Sequence, residues 1–203
     1  MFPFDVILFD VGGVLLTNGW DHRERATLVE QFHLDRTALE ARHAKAFEPW
    51  ERGEISLDEY LDAAVFYEPR SFSHEEFFAA MCEQSKPLAD GAMCIFKELA
   101  AFDKCMLGAL NNEARETNEF RFAKFGLREH MKFAFTSCYM GLRKPDPKIY
   151  RRALGILGKS VERSLFIDDR PENVAAAAAV GMKAVRFTGA DVLRRDLEAL
   201  EVL

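Results

Sequence analysis

Asp10 closes the apolar run "VILF" and is followed, after Val11, by Gly12 and Gly13; Asn111 and Asn112 close "CMLGAL"; Lys144 stands in "GLRKPDP"; Asp168 and Asp169 close "SLFI". Singly, each has an ordinary role, since an Asp or Asn after a strand often caps the next helix and a Lys before Pro is usually solvated. Together, three carboxylates, two amides and an ammonium at the ends of apolar runs suit phosphoryl transfer. Clustered carboxylates repel one another, and a hard divalent cation with oxygen ligands, Mg²⁺ above all, removes that penalty. One carboxylate can then attack phosphorus to give an aspartyl-phosphate. The lysine and amide N–H groups would hold the phosphate oxygens, where charge has to be stabilised.

For this to work the runs must be parallel strands, whose carboxyl ends share one rim of a sheet. Val6 to Phe9 is short, apolar and rich in strand formers, as expected of a strand buried on both faces, and the two glycines let the chain turn after it. From Leu88 onward strand and helix alternate: "DGAMCIFKELAAF" helix, "CMLGAL" strand, "EARETNEFRFAKFG" helix stopped by Gly126, "KFAFTS" strand, "DPKIYRRALGIL" helix capped by Asp146. "SLFID" strand, "PENVAAAAAVG" helix, "KAVRF" strand and "DVLRRDLEAL" helix complete the alternation. The pattern predicts an α/β fold, a Rossmann-like parallel sheet with helices on both faces, built from residues 1–16 and 88–203. Residues 17–87 carry helical periodicity only, as in "DHRERATLVEQF", "SLDEYLDAAVF" and "SHEEFFAAMCEQ", and predict a small all-helical cap domain. Ser56 with Glu59 and Ser73 with Glu76 have capping-box spacing.

The 203 residues, 49% hydrophobic with 18 Phe, are ample for a core. A formal charge of −6 offers no attraction to nucleic acid or an anionic membrane. No stretch is long enough for a membrane span, and Asp5 and Asp10 interrupt the apolar start, which therefore does not read as a signal peptide. Cys82, Cys94, Cys105 and Cys138 lack metal-ligand spacing and read as small core residues of a cytoplasmic protein. His33, His43, His74 and His130 are dispersed, and "RERATLVEQ" reads as a solvated helical face.

The four polar stretches resemble, in order, the motifs of the haloacid dehalogenase (HAD) superfamily with a helical cap inserted after the first. "FDVGGVL" resembles the first motif, which implies Asp10 as nucleophile and metal ligand and the Gly12 carbonyl as a further ligand. "LGALNNE" stands where the second ends its strand, with Asn111 at the usual Ser or Thr position and Asn112 beside it. "GLRKPDPKIY" is similar to the third, implying Lys144 as the phosphate-binding lysine. "FIDDRPENV" is similar to the fourth, implying Asp169 on Mg²⁺ directly and Asp168 through water. The family's phosphatases commonly carry a second aspartate, a general acid and base, two residues after the nucleophile; here that position is Gly12.

Three readings follow. One is a Mg²⁺-dependent phosphatase of a small phosphorylated metabolite, in the branch resembling glucose-1-phosphate phosphatases and epoxide hydrolase amino-terminal domains. General acid help is worth ~10²–10⁴-fold, so its absence favours a good leaving group, a sugar-1-phosphate or acyl phosphate, or a donor from the cap. His22, Arg23, Trp50 and Arg52 are candidate cap contacts, with Gly12, Gly13, Asn111, Asn112 and Lys144 around the phosphate. The second reading is a catalytically silent member that binds a phosphorylated ligand or a protein partner. The third is a 2-haloacid dehalogenase, whose metal-free site has little use for both Asp168 and Asp169.

Overall fold

The structure is a computed structural model and describes residues 2–203. Strand β1 (Val6–Phe9) leads through a glycine turn into four helices, α1 (His22–Gln31), α2 (Arg36–Glu51), α3 (Leu57–Ala64) and α4 (His74–Glu83). Then follow α5 (Met93–Phe102), β2 (Met106–Asn111), α6 (Arg115–Lys124), a 3-10 turn (Leu127–His130), β3 (Phe133–Thr136) and the short α7 (Ser137–Met140). The chain closes with α8 (Pro147–Leu157), β4 (Ser164–Asp168), α9 (Pro171–Val180), β5 (Lys183–Arg186) and α10 (Ala190–Ala199).

All five strands are parallel, in the order β3-β2-β1-β4-β5. The chain builds outward from β1 on one side, then crosses back to build on the other, so β1 lies at the switch point where such sheets bind ligands. Successive strand residues face opposite sides. Ile7, Phe9, Leu107 and Ile167 pack against Phe96 and Leu99 of α5, Phe122 of α6 and Leu193 and Leu197 of α10. Val6, Leu8 and Phe166 pack on the other side against Ile149, Tyr150 and Leu154 of α8 and Ala177 of α9. Helices therefore cover both faces, and β1 is buried along its whole length.

Helices α1 to α4 hold a separate apolar cluster that includes Trp20, Leu28, Leu39, Trp50, Tyr60 and Phe77. The Ser56 and Ser73 capping boxes form as their spacing requires, each serine accepting from the backbone three residues on. Asp146 caps α8, with Pro147 at its first position. Two expectations need correction. The α1 face is not wholly solvated, because Arg25 and Leu28 are buried. Of the four unpaired cysteines, Cys82 and Cys138 are buried, but Cys94 is exposed on the outer face of α5. No helix among the described residues is long and apolar enough to cross a membrane.

Candidate active site

Parallel register brings the acidic residues together. Phe9 lies opposite Ile167, and the Asp10 N–H donates to the Ile167 carbonyl at 2.8 Å, which sets Asp10 beside Asp168 at the ends of β1 and β4. Carboxylate oxygens of Asp10, Asp168 and Asp169 all lie within 4.8 Å of one another. Facing them, Lys144 Nζ is 2.8 Å from Asp10 Oδ1 and 2.7 Å from Asp168 Oδ2. Lys144 is 3% exposed and Asp168 fully buried, so the pairing is shielded from water.

Each group's protonation follows from these neighbours. Burial pushes Asp10 up to about 8 against the pull of the Lys144 ammonium. Burial would raise Asp168 too, but Lys144, the Arg170 N–H at 2.8 Å and the Asn173 amide at 3.0 Å hold it below the usual carboxylate range. For Lys144, burial favours the neutral amine, and the two carboxylates outweigh it and raise its pKa. Burial, then the Asp168 charge, raises Asp169. Asp169 Oδ1 is buried without a hydrogen-bond partner. Such an atom is costly unless a cation shares the site, and a set of hard carboxylate oxygens suits Mg²⁺. The cluster can hold a metal ion.

The glycines shape the approach. Gly13 has φ +74°, and a Cβ there would collide with the Asp169 carboxylate. At Gly12 a Cβ would stand 3.1 Å from Asn18 Oδ1, so the space beside position 12 is already partly taken by the Asn18 amide.

Asp10, Gly12, Asn112 and Lys144 all line one cavity of about 350 Å³. Asn112 acts on Lys144 through the backbone: its amide donates to the Lys144 carbonyl and accepts from the Lys144 N–H, both at 2.9 Å, and so latches the lysine loop. Asn111 is placed differently from the expectation. It does not line the cavity, because β2 turns its side chain into a buried network with Thr136 (3.0 Å) and Asn118 (3.3 Å). Gly13, which packs against the Asp169 carboxylate, also lies off the cavity wall, as do Asp168 and Asp169; of the three carboxylates Asp10 lines it.

The cap-side expectations need more revision. His22 and Arg23 are exposed, Trp50 is buried against Tyr60, and neither they nor Arg52 line the cavity. The wall instead holds Trp20, Asp21, Arg25, His43, Phe47 and Glu51. Arg25 is paired with Glu40 at 2.8 Å. Arg143 binds Glu51 at 2.5 Å and Glu48 at 3.0 Å. Burial pushes Glu51 up to about 7 in spite of Arg143. On the core side, buried Arg121 pairs with Glu113, and Arg170 and Asn173 complete the rim. Sequence reasoning missed this set, although Asn173 and Arg170 stand within the quoted "FIDDRPENV".

Comparison with known proteins bears on the family and the fold. The family model for "haloacid dehalogenase-like hydrolase" matches residues 4–181. Flavin mononucleotide hydrolase 1 of Arabidopsis thaliana is 34% identical over 164 residues, covering 81% of this chain and 65% of that protein. Bifunctional epoxide hydrolase 2 of Sus scrofa is 24% identical, covering 94% of this chain and 38% of that protein. The chain thus spans less than two thirds of these relatives' length. Among solved structures, a HAD family enzyme from Bacteroides thetaiotaomicron in its magnesium complex superposes with TM-score 0.79 at 19% identity, covering 95% of this chain and 99% of that one.

Proposed function

This chain belongs to the haloacid dehalogenase-like hydrolases, and from that premise we propose that it is a Mg²⁺-dependent phosphatase of a small phosphorylated metabolite. The observation that carries the reading is the triad of carboxylates within 4.8 Å of one another, with Asp10 and the buried Lys144 ammonium that pairs with it both lining one cavity. Asp10 is the nucleophile: a carboxylate oxygen bonds to phosphorus as the ester P–O bond breaks, and the leaving oxygen takes a proton from water. Water then attacks phosphorus in the aspartyl-phosphate, inorganic phosphate departs, and the Asp10 carboxylate returns.

Lys144 neutralises charge on the transferring phosphoryl group, and Asn112 fixes the backbone that carries it. Asp168, locked by Arg170 and Asn173, stays ionised and orients Lys144. Asp10, the Gly12 carbonyl, Asp168 and Asp169 would hold Mg²⁺, directly or through water. When bound, that ion lowers the pKa of Asp10 and offsets phosphate charge. Gly12 supplies no proton, so we read the enzyme as one that favours a good leaving group. The name of the Arabidopsis relative makes flavin mononucleotide a substrate to test, and the Bacteroides enzyme has also been solved with magnesium and inorganic phosphate. The orphaned Asp169 oxygen beside Asp168 weighs against the metal-free dehalogenase reading.

The deciding experiment is a Mg²⁺-dependent screen over phosphorylated metabolites, run beside Asp10→Asn and with chelator. Phosphate release that needs both Mg²⁺ and Asp10 is expected. Inertness with retained binding of phosphorylated metabolites would establish a silent binder, and chelator-insensitive halide release would establish a dehalogenase.

A further inference from the structure

Trp20, Tyr60 and His43 form a buried chain that ends at the cavity. An indole N–H can only donate, so the Tyr60 hydroxyl accepts from Trp20 Nε1 at 2.6 Å. Its single proton has one place to go, because His43 Nδ1 is 2.7 Å away and no other partner among the described residues reaches this fully buried hydroxyl. Nδ1 must therefore accept, and the ring proton of the neutral imidazole sits on Nε2. A proton on Nδ1 would strand the phenol proton in a dry interior, which is costly. Trp50 stacks on Tyr60 with ring centres 4.1 Å apart, and Phe47 lies 4.6 Å from the imidazole, so each of the two rings is packed against an aromatic neighbour.

His43 lines the same cavity as Asp10 and Lys144. Among the described residues its Nε2 has no protein partner. Around it the charges are already matched, Arg25 with Glu40 and Arg143 with Glu51 and Glu48. Between Arg25 with its Glu40 partner and Arg143 with Glu51, the cavity wall thus includes a neutral donor that no described residue engages.

We propose that His43 determines specificity by donating its Nε2–H to a neutral acceptor, a hydroxyl or carbonyl oxygen or a ring nitrogen, on the leaving group of the phosphate ester. The proposal rests on the phosphatase reading and deepens it: the preferred leaving group is a polar uncharged body such as a sugar or a flavin, not a second phosphate or a carboxylate. Burial first, then the Arg25 charge, keeps His43 neutral down to about 4, with Glu40 and Asp21 pulling the other way, so the donor persists over the ordinary pH range.

The test compares flavin mononucleotide and glucose 1-phosphate with phenyl phosphate, whose leaving group has no acceptor beyond the ester oxygen. In His43→Phe the ratio of kcat/KM for the better acceptor-bearing ester over phenyl phosphate should fall about tenfold, carried mainly by KM. His43→Gln, whose amide N–H can take the place of Nε2–H, should restore most of it. ¹⁵N NMR of the wild-type protein should show the Nε2–H tautomer from pH 5 to 8, with a shift on adding glucose 1-phosphate or flavin mononucleotide and none on adding inorganic phosphate. An Nδ1–H tautomer, an unchanged ratio, or a shift with phosphate alone would overturn the proposal. If the wild type hydrolyses none of these esters, the phosphatase reading fails, while the NMR arm still decides whether His43 contacts the organic part of a ligand.

Discussion

Gly13 and Asp169 are fitted so closely that no side chain can stand between them: a Cβ on Gly13 would overlap the Asp169 carboxylate, and the backbone there is left-handed at φ +74°. The glycine is required twice over, by conformation and by proximity to a proposed metal ligand.

Gly13→Ala should therefore displace Asp169 and weaken Mg²⁺ binding at least tenfold, with a stability loss of about 1–2 kcal/mol from the left-handed backbone. Isothermal titration with Mg²⁺ and a urea melt separate the two effects. Wild-type Mg²⁺ affinity in the variant would show that Asp169 holds no metal.

Lys144→Met leaves Asp10 and Asp168 facing each other, buried and without their cation. Breaking a buried pair on one side costs about 3–5 kcal/mol, and Mg²⁺, by binding the same carboxylates, should return part of it. Urea unfolding with and without Mg²⁺ measures both. A variant as stable as the wild type in chelator would disprove the pairing.

Gly12→Asp restores a carboxyl at the position that lacks one. Its Cβ would lie 3.1 Å from Asn18 Oδ1, the tip of a side chain that can swing by a few tenths of an ångström. The wild type should hydrolyse acetyl phosphate far faster than ethyl phosphate, and Gly12→Asp should raise the ethyl phosphate rate about 10²-fold. No gain in either Gly12→Asp or Gly12→Asp with Asn18→Gly would mean that proton donation does not limit this enzyme.

His43 and Glu51 act on stability with opposite signs. His43 is neutral in the fold down to about 4, below its ordinary 6.5, so the unfolded chain binds its proton first. Its contribution is complete above pH 6.5 and is lost as pH falls through the window from 6.5 to 4, on the order of 3 kcal/mol in all. Glu51, raised to about 7 from 4.5, favours the protonated fold, and its contribution is lost as pH rises through that window. His43→Gln should flatten the acid side of the stability curve and Glu51→Gln the neutral side. Parallel curves for wild type and His43→Gln between pH 4 and 6.5 would contradict the buried neutral imidazole.

The sheet and its carboxyl rim were legible because buried parallel strands are written in runs such as "VILF" and "SLFID", each ending at a polar residue with nowhere else to go. The capping boxes were legible because they are local. Helix α2 was not, although its inward residues Leu39, His43, Ala46 and Trp50 keep helical spacing. Two of those four are a histidine and an alanine, and Pro49 stands in the last turn, so the apolar signal is faint. Polar residues pointing inward look in a sequence like polar residues pointing outward, which is why His43 and Glu51 escaped and exposed His22 and Arg23 were favoured. Asn111 was misplaced for a related reason: adjacent residues on a strand point to opposite sides, and the pair "NN" does not announce which one faces the cavity.

The carbonyl of Glu51 receives the Ser137 hydroxyl at 2.7 Å, while its carboxylate receives Arg143, the residue next to Lys144. The helix that carries His43 is thereby stitched to the loop that carries the ammonium. Variants that retune substrate choice along α2 will disturb turnover itself, and breeding a new preference into this enzyme will require compensating changes on the far bank of the seam.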